Sequence, residues 1–345
     1  MRDSDEFLMP EGAEVVGRQD DVFEMRIAIP SDEHGFLGRQ CPSCAQMFRV
    51  GSDDYEALPG DLELWCVYCG HHAEHSEFVT QQQLDRAMRA AGDLGTQLVQ
   101  EVINDAFRGI STYRSGSRSS GFGIEISYRT EPFYPQPLPG IDEEQLIRVR
   151  TCASCTLRYA VFGEHRFCPV CGLLPADVVA LDAIAAETAR LDGLVQLPAE
   201  VAATLREQGV FTRIWVDTLE NLVGVVETMA SRVFHAAVAE AATLVKGKGN
   251  IFQRLDDTAD LFAASGHSDV RTVIDAPTWQ RLQEAWAARH LFTHNDGLID
   301  AKYLAKVSSG TARPGQRLTI TEAMCRQAIT DTEALCRAIA ALTRP

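Results

Sequence analysis

The stretch "DAPTWQRLQEAWAARHLFTHNDG" (Asp275–Gly297) decides how the C-terminal half of the chain is read. It opens with Asp275, whose side chain suits a helix N-cap, and places Pro277 in the first turn, where a missing N–H is harmless. It closes on Gly297, a residue suited to a C-terminal cap. Between these marks, at about 100° per residue, Trp279, Leu282, Trp286, Arg289, His290, Thr293 and His294 share roughly one half of the helix. Such a stripe is the face an amphipathic helix buries. Here it begins as aromatic and aliphatic core and ends as a guanidinium and two imidazoles.

The flanking sequence keeps helical spacing. Between Phe211 and Leu244, the residues Phe211, Trp215, Leu219, Leu222, Val226, Met229, Val233 and Ala237 step by three or four. A shorter segment, "IFQRLDDTADLFAAS", repeats the pattern with Ile251, Leu255 and Leu261, and a last helix spans about Thr321 to Leu342. Four main antiparallel helices joined this way make an up-and-down bundle over 200–345, with 176–199 as a linker helix.

Cysteine use organises the N-terminal half. Eight of the ten cysteines form four CxxC pairs: Cys41 with Cys44, Cys66 with Cys69, Cys152 with Cys155, and Cys168 with Cys171. In a chain that opens on acidic residues in place of a secretion signal, this spacing points to metal before disulfides. Intervals of 21 and 12 residues between successive pairs give two four-cysteine zinc ribbons, each with strand-like inner segments. Four thiolates close a tetrahedron, so both zinc ions are structural and no catalytic metal is expected. His71, His72 and His75 of "CGHHAEH" read as exposed loop residues. Cys325 and Cys336, about 16 Å apart on a helix, read as small buried hydrophobes.

The expected organisation is multidomain and mainly α: an N-terminal strand and first ribbon over 1–78, a helix and flexible loop over 79–122, strands and the second ribbon over 123–175, then the linker and bundle. Leu84, Met88, Leu94, Leu98 and Val102 give the first long helix its loose apolar period. The segment "GIEISYRTEPFYPQPLPG" reads as a strand followed by a connector. No apolar run reaches the roughly 20 residues that span a bilayer, so the expectation is a cytoplasmic protein without membrane contact. A net charge of −16 argues against a protein that coats nucleic acid through bulk electrostatics. Only small basic stretches, "RGISTYRSGSR" and "KGKG", stand out, and both read as solvated loops.

Arg289 and His294 fit the pattern Arg, four residues, His, with a polar residue directly after the Arg, near the end of a bundle's third long helix. This resembles the HEPN superfamily, the higher eukaryotic and prokaryotic nucleotide-binding domains. The wider string "RHLFTHNDGLIDAKYL" is similar to a bacterial group within it. The resemblance covers about 200–345 and leaves the ribbons outside. It implies a homodimer through the bundle and a metal-independent endoribonuclease that cuts RNA by 2'-OH attack to leave 2',3'-cyclic phosphate ends. His294 then acts as acid or base, Arg289 stabilises charge on the scissile phosphate, and His290 orients the phosphate or Arg289. A bacterial stress or phage-defence effector with a regulatory protein partner is the role the resemblance implies.

Two alternatives remain open on the residues themselves. Arg289 and His294 could satisfy carboxylates such as Asp217 or Glu220 in a buried polar network, leaving a non-catalytic adaptor that binds protein partners or nucleotides. The ribbons could grip RNA, with aromatics beside Arg158 and Arg166, or a protein partner, or fill space as metal-stapled modules.

Overall fold

The computed structural model describes residues 7–20, 22–111, 132–143, 148–307 and 313–343. The chain divides into two compact units: Met1–Phe162 with Phe167–Gly172, and Gly163–Arg166 with Leu173–Pro345. About 53% of the molecule is helical, and the sheets are small. The basic stretch around residues 112–118 and the expected strand at 123–131 lie outside the described residues.

The first unit carries the strands β1 (Ala13–Gln19), β2 (Val22–Ile27), β3 (Phe36–Gln40), β4 (Met47–Gly51), β5 (Leu64–Trp65), β6 (His72–Ala73), β7 (Val149–Thr151), β8 (Arg158–Ala160), β9 (Phe167–Cys168) and β10 (Gly172–Leu173), with helices α1 (Ser52–Glu56) and α2 (Gln81–Ser111). β1 and β2 form an antiparallel ribbon with an irregularity between Val15 and Gly17; the acidic lead-in thus contributes a strand of its own. The sequence reads the two ribbons as modules in series. In the structure they share one four-stranded sheet of order β3-β4-β8-β7. The joint is the antiparallel pairing of Arg49 with Ala160 and Val50 with Tyr159. At this joint Phe48, Val50 and Tyr159 are buried on one face of the sheet, and Ala160 is buried with Phe36 on the other.

Polar groups fasten the remaining segments of this unit. Thr80 and Gln83 cap α2 reciprocally, each backbone N–H donating to the other's side-chain oxygen at 3.3 Å. The buried Arg49 guanidinium pairs with Asp32 and reaches the backbone oxygen of Glu143 at 3.1 Å. Gln97 exchanges two 2.8 Å bonds with the backbone of Leu8. The expected apolar period of α2 does not become core: Leu94 is buried, but Leu84, Met88 and Val102 are 47%, 65% and 71% exposed. The helix instead buries Gln83, Ala90, Asp93 and Gln97.

The second unit holds α3 (Ala176–Val195), α4 (Ala199–Glu207), α5 (Val210–Ala237), α6 (Ala241–Val245), α7 (Leu255–Ala264), α8 (Val270–Val273), α9 (Ala276–Asn295), α10 (Ala301–Leu304) and α11 (Glu322–Leu342). Its core is contiguous through Ile184 and Leu191 of α3, Leu222, Val226 and Met229 of α5, Leu282 and Leu291 of α9, and Leu335 and Ile339 of α11. The segment read as a linker helix is therefore α3, a full member of the bundle. Its Ala-rich composition hides the stripe, because alanines carry little apolar contrast. Cys325 and Cys336 are fully buried on α11, and burial pushes both thiols up to about 12, as befits small core residues. Among the described residues no helix is long and apolar enough to cross a membrane.

Caps fix where α9 and α11 begin. Asp275 accepts from the Thr278 N–H at 2.9 Å and Thr321 from the Met324 N–H at 3.3 Å. α9 ends through Asp296 and Gly297, both left-handed at φ 47° and 76°, and Gly297 donates to Leu291 O at 3.0 Å. A Cβ on Gly297 would lie 2.7 Å from the Phe292 ring. Gly297→Ala is expected to lower unfolding free energy by roughly 1–2 kcal/mol, read from the denaturant midpoint, because both the left-handed backbone and the ring contact oppose a side chain.

Candidate functional site

Two features of the structure can do chemistry, one in each unit. In the first unit the eight cysteines gather into two groups, Cys41, Cys44, Cys66 and Cys69, and Cys152, Cys155, Cys168 and Cys171; within each, all sulfurs lie within 4.8 Å of one another. The turns that present them repeat one local geometry. Each CxxC is followed by a left-handed residue, Ala45, Gly70, Thr156 or Gly172, at φ between 59° and 74°. Sγ–Sγ distances of 3.6 and 3.7 Å in the first group and 3.8 and 3.6 Å in the second fit a tetrahedron. Thiolates about 2.3 Å from a zinc-sized cation are about 3.8 Å apart, far beyond a disulfide bond. Burial pushes the Cys66 and Cys168 thiols up, and a cation among the sulfurs offsets that penalty. Both groups could hold a metal ion.

The groups are also wired to each other. Trp65, just before Cys66, donates its backbone N–H to Pro169 O at 2.8 Å, and Phe167, just before Cys168, donates to Val67 O at 3.1 Å. The two rings stack with a centroid separation of 6.0 Å. Phe167 lies against Gly70 and Trp65 against Gly172, where an added Cβ would approach to 2.5 and 3.0 Å. The histidines read as exposed loop residues take part in packing here. His72 stacks on Trp65 at 4.1 Å, and His75 Nδ1 meets Tyr55 Oη at 2.7 Å, while His71 and His75 each keep a buried Nε2. None of the three belongs to either sulfur group. Because each group supports the other's turn, replacing Cys168 and Cys171 with serine is expected to leave less than half of the wild-type metal content. Elemental analysis of the purified variant checks this; a clean half would mean the groups are independent.

In the second unit, Arg289, His290 and His294 of α9 line a cleft of about 470 Å³ bounded by α9, the start of α7 and the segment 300–306. The stripe that begins with Trp279 and Leu282 does not stay the buried face. In the last turns of α9 the core is taken up by Ala287, Ala288 and Leu291, and His290 and His294 are exposed. The cationic residues therefore face open space in one protomer, and their stripe is not core.

Neither carboxylate that the sequence offered as a partner binds them. Asp217 binds Arg213 at 3.0 Å, and Glu220 accepts from Thr293 Oγ1 at 3.1 Å, so neither carboxylate is engaged by Arg289 or His294. Arg289 Nε and Trp286 Nε1 are buried donors without a partner, the kind of group that costs about 1–3 kcal/mol if left unmet. His290 and His294 are one turn apart with ring centroids 4.7 Å from each other. His290 is held below the usual imidazole pKa by partial desolvation, then by the positive charges of His294, Lys302 and Arg289, against the opposing pull of Asp300. α9 itself is anchored by a bidentate pair from Arg281 to the buried Asp331 of α11, at 2.8 and 2.7 Å.

Three further cations line the same cleft: Arg254, Lys302 and Lys306. Arg254 pairs with Asp257, whereas Lys302 and Lys306 have no ion-pair partner among the described residues. Two further carboxylates line it: Asp256 accepts from Gln283 at 3.1 Å and Asp300 from the N–H of Tyr303 at 2.8 Å. In a chain of net charge −16, the cleft thus carries four Lys and Arg against three Asp, a slight local excess of positive charge. The sequence missed this set; the signal available was Asp300 and Lys302 in the acidic-basic tail of "RHLFTHNDGLIDAKYL". No family model matches this chain, and no curated protein or solved structure is similar to it.

Proposed function

We propose that the protein is a metal-independent endoribonuclease of the HEPN type, acting at the α9 cleft. The observation that carries this reading is an open cleft bearing Arg289, His290 and His294 with no carboxylate binding Arg289 or His294 among the described residues. A buried network would have sealed these side chains; the exposure of His290 and His294 beside a half-buried Arg289 is what substrate access requires.

RNA brings its own nucleophile, the 2'-OH. An imidazole near neutral pKa can take that proton or protonate the departing 5'-oxygen, which is the role of His294. The planar fork of Arg289 meets charge building on the phosphate oxygens. His290 orients the phosphate or the guanidinium. A local cluster of cations within an acidic molecule suits binding of one short stretch of backbone better than coating of a duplex. The products are a 2',3'-cyclic phosphate and a 5'-hydroxyl.

The cysteine groups hold zinc in this account. Cys41, Cys44, Cys66 and Cys69 take one ion and Cys152, Cys155, Cys168 and Cys171 the other, and four thiolates leave no position for substrate, so the metal supplies folding energy. The working form is a cytoplasmic homodimer through the bundle, serving as a stress or phage-defence effector under control of a protein partner. A second reading, a non-catalytic adaptor, is favoured by the apolar face of α2, on which Leu84, Met88, Val99 and Val102 are exposed.

The test is cleavage of total cellular RNA by the zinc-loaded protein in EDTA. The wild type is expected to cut, with cyclic phosphate ends, and Arg289→Ala and His294→Ala to lose about 10²-fold or more in rate while keeping the wild-type unfolding profile. Intact RNA with every protein, across activating partners and substrates, would favour the adaptor.

A further inference from the structure

α2 is built inside out. It turns Gln83, Asp93 and Gln97 into the first unit, where Gln83 donates to Gly38 O at 2.8 Å, the Asp93 carboxylate accepts from the Gln136 N–H at 3.3 Å and Gln97 clasps Leu8. Its apolar side faces water. At about 100° per residue, Leu84, Met88, Gly92, Gly95, Val99 and Val102 fall within about 80° of one another. The four large side chains among them are between 47% and 71% exposed.

The two glycines are a second, independent observation. In a helix interior each costs roughly 1 kcal/mol against alanine, and among the described residues no neighbouring atom would come within 4 Å of a Cβ at either position. Packing inside the protomer therefore gives no reason for them. A missing Cβ on an outer face lets another backbone approach closely. We propose that this stripe pairs with the same stripe of a second copy, the two α2 helices lying antiparallel about a two-fold axis at Gly92 and Gly95.

The sizes along the stripe are self-complementary in that arrangement, as an interface between identical surfaces requires. Gly92 meets the partner's Gly95, Met88 meets the partner's Val99, and Leu84 meets the partner's Val102. Large side chains thus interleave on both sides of a point where the backbones come together. Charge selects the direction. Asp85 and Arg89 flank the stripe on one side, and antiparallel pairing sets them opposite the partner's Thr96, Gln100 and Ile103. Parallel pairing would set each of these charges against its own like. From Leu84 to Val102 the contact runs about 27 Å along a helix about 10 Å wide, roughly 270 Å² in projection on each copy. That is short of the ~800 Å² per partner of a standard interface, so the pairing is reversible and adds to any contact made elsewhere. It is independent of the chemistry at the α9 cleft.

Sedimentation velocity of the full-length, zinc-loaded protein, from micromolar to submillimolar concentration, tests this. The wild type is expected to show an association step, whether or not the bundle also pairs. Gly95→Leu, Met88→Lys and Val99→Glu should each raise the dissociation constant of that step at least about tenfold. Gly95→Leu should do so without lowering the unfolding midpoint, because its Cβ enters open space and leucine is the better helix former. Met88→Lys and Val99→Glu in one chain bring opposite charges together across the antiparallel contact, and the double variant should regain the association. Unchanged association in all three single variants would overturn the proposal, as would a wild type with no association step or a double variant no better than the single ones. Wild-type binding to phosphatidylcholine vesicles that Met88→Lys abolishes, with no association in solution, would assign the stripe to a lipid surface instead.

Discussion

α9 answers two demands with one run of twenty residues, and the rest of the second unit follows from how it does so. Its first half must bury Trp279 and Leu282 against the bundle; its last turns must leave His290 and His294 exposed and Arg289 half-buried at the cleft. The helix stays regular and changes the face it buries, passing the core to Ala287, Ala288 and Leu291. Ala287 and Ala288 are buried in the core while α9 continues unbroken to Asn295. The ion pair from Arg281 to the buried Asp331 fixes the helix rotation at the point of exchange. Breaking that pair would strand a buried carboxylate, which is why it specifies one rotation over others.

The first unit rests on a different constraint, the joining of two cysteine-bearing halves into one sheet. A single ribbon of this size buries too little apolar surface to persist without help. Pairing β4 with β8 gives both halves a shared sheet, and the crossed contacts of Trp65 with Gly172 and Phe167 with Gly70 tie the shape of each turn to the other. Glycine is required at both positions because the φ is left-handed and an aromatic ring occupies the place of a side chain.

What could be read from the sequence divides along physical lines. The cysteine groups were legible because four CxxC pairs at those intervals have few other uses, and the caps at Asp275 and Gly297 because capping is local. The shared sheet was not legible: Arg49 and Ala160 are separated by more than a hundred residues, and nothing in either strand names its partner. α3 was misread as a linker since its alanines mask amphipathicity, and the loose apolar period of α2 did not tell which of its positions are buried, because side-chain spacing does not reveal whether a partner surface exists. At the cleft, Arg289, His290 and His294 were singled out by their helical spacing. Lys302 and Lys306 were not, since only the fold brings segment 300–306 to α9.

The central claim is that this cleft receives an RNA phosphate. The most direct measurement is a crystal structure of the protein with a short oligonucleotide whose cleavage site carries a 2'-deoxy sugar and so cannot react. The account places one phosphate within hydrogen-bond reach of Arg289 and Lys302, with the neighbouring sugar and 5'-oxygen beside His290 and His294. An oligonucleotide bound elsewhere, with the cleft holding only solvent, would contradict it.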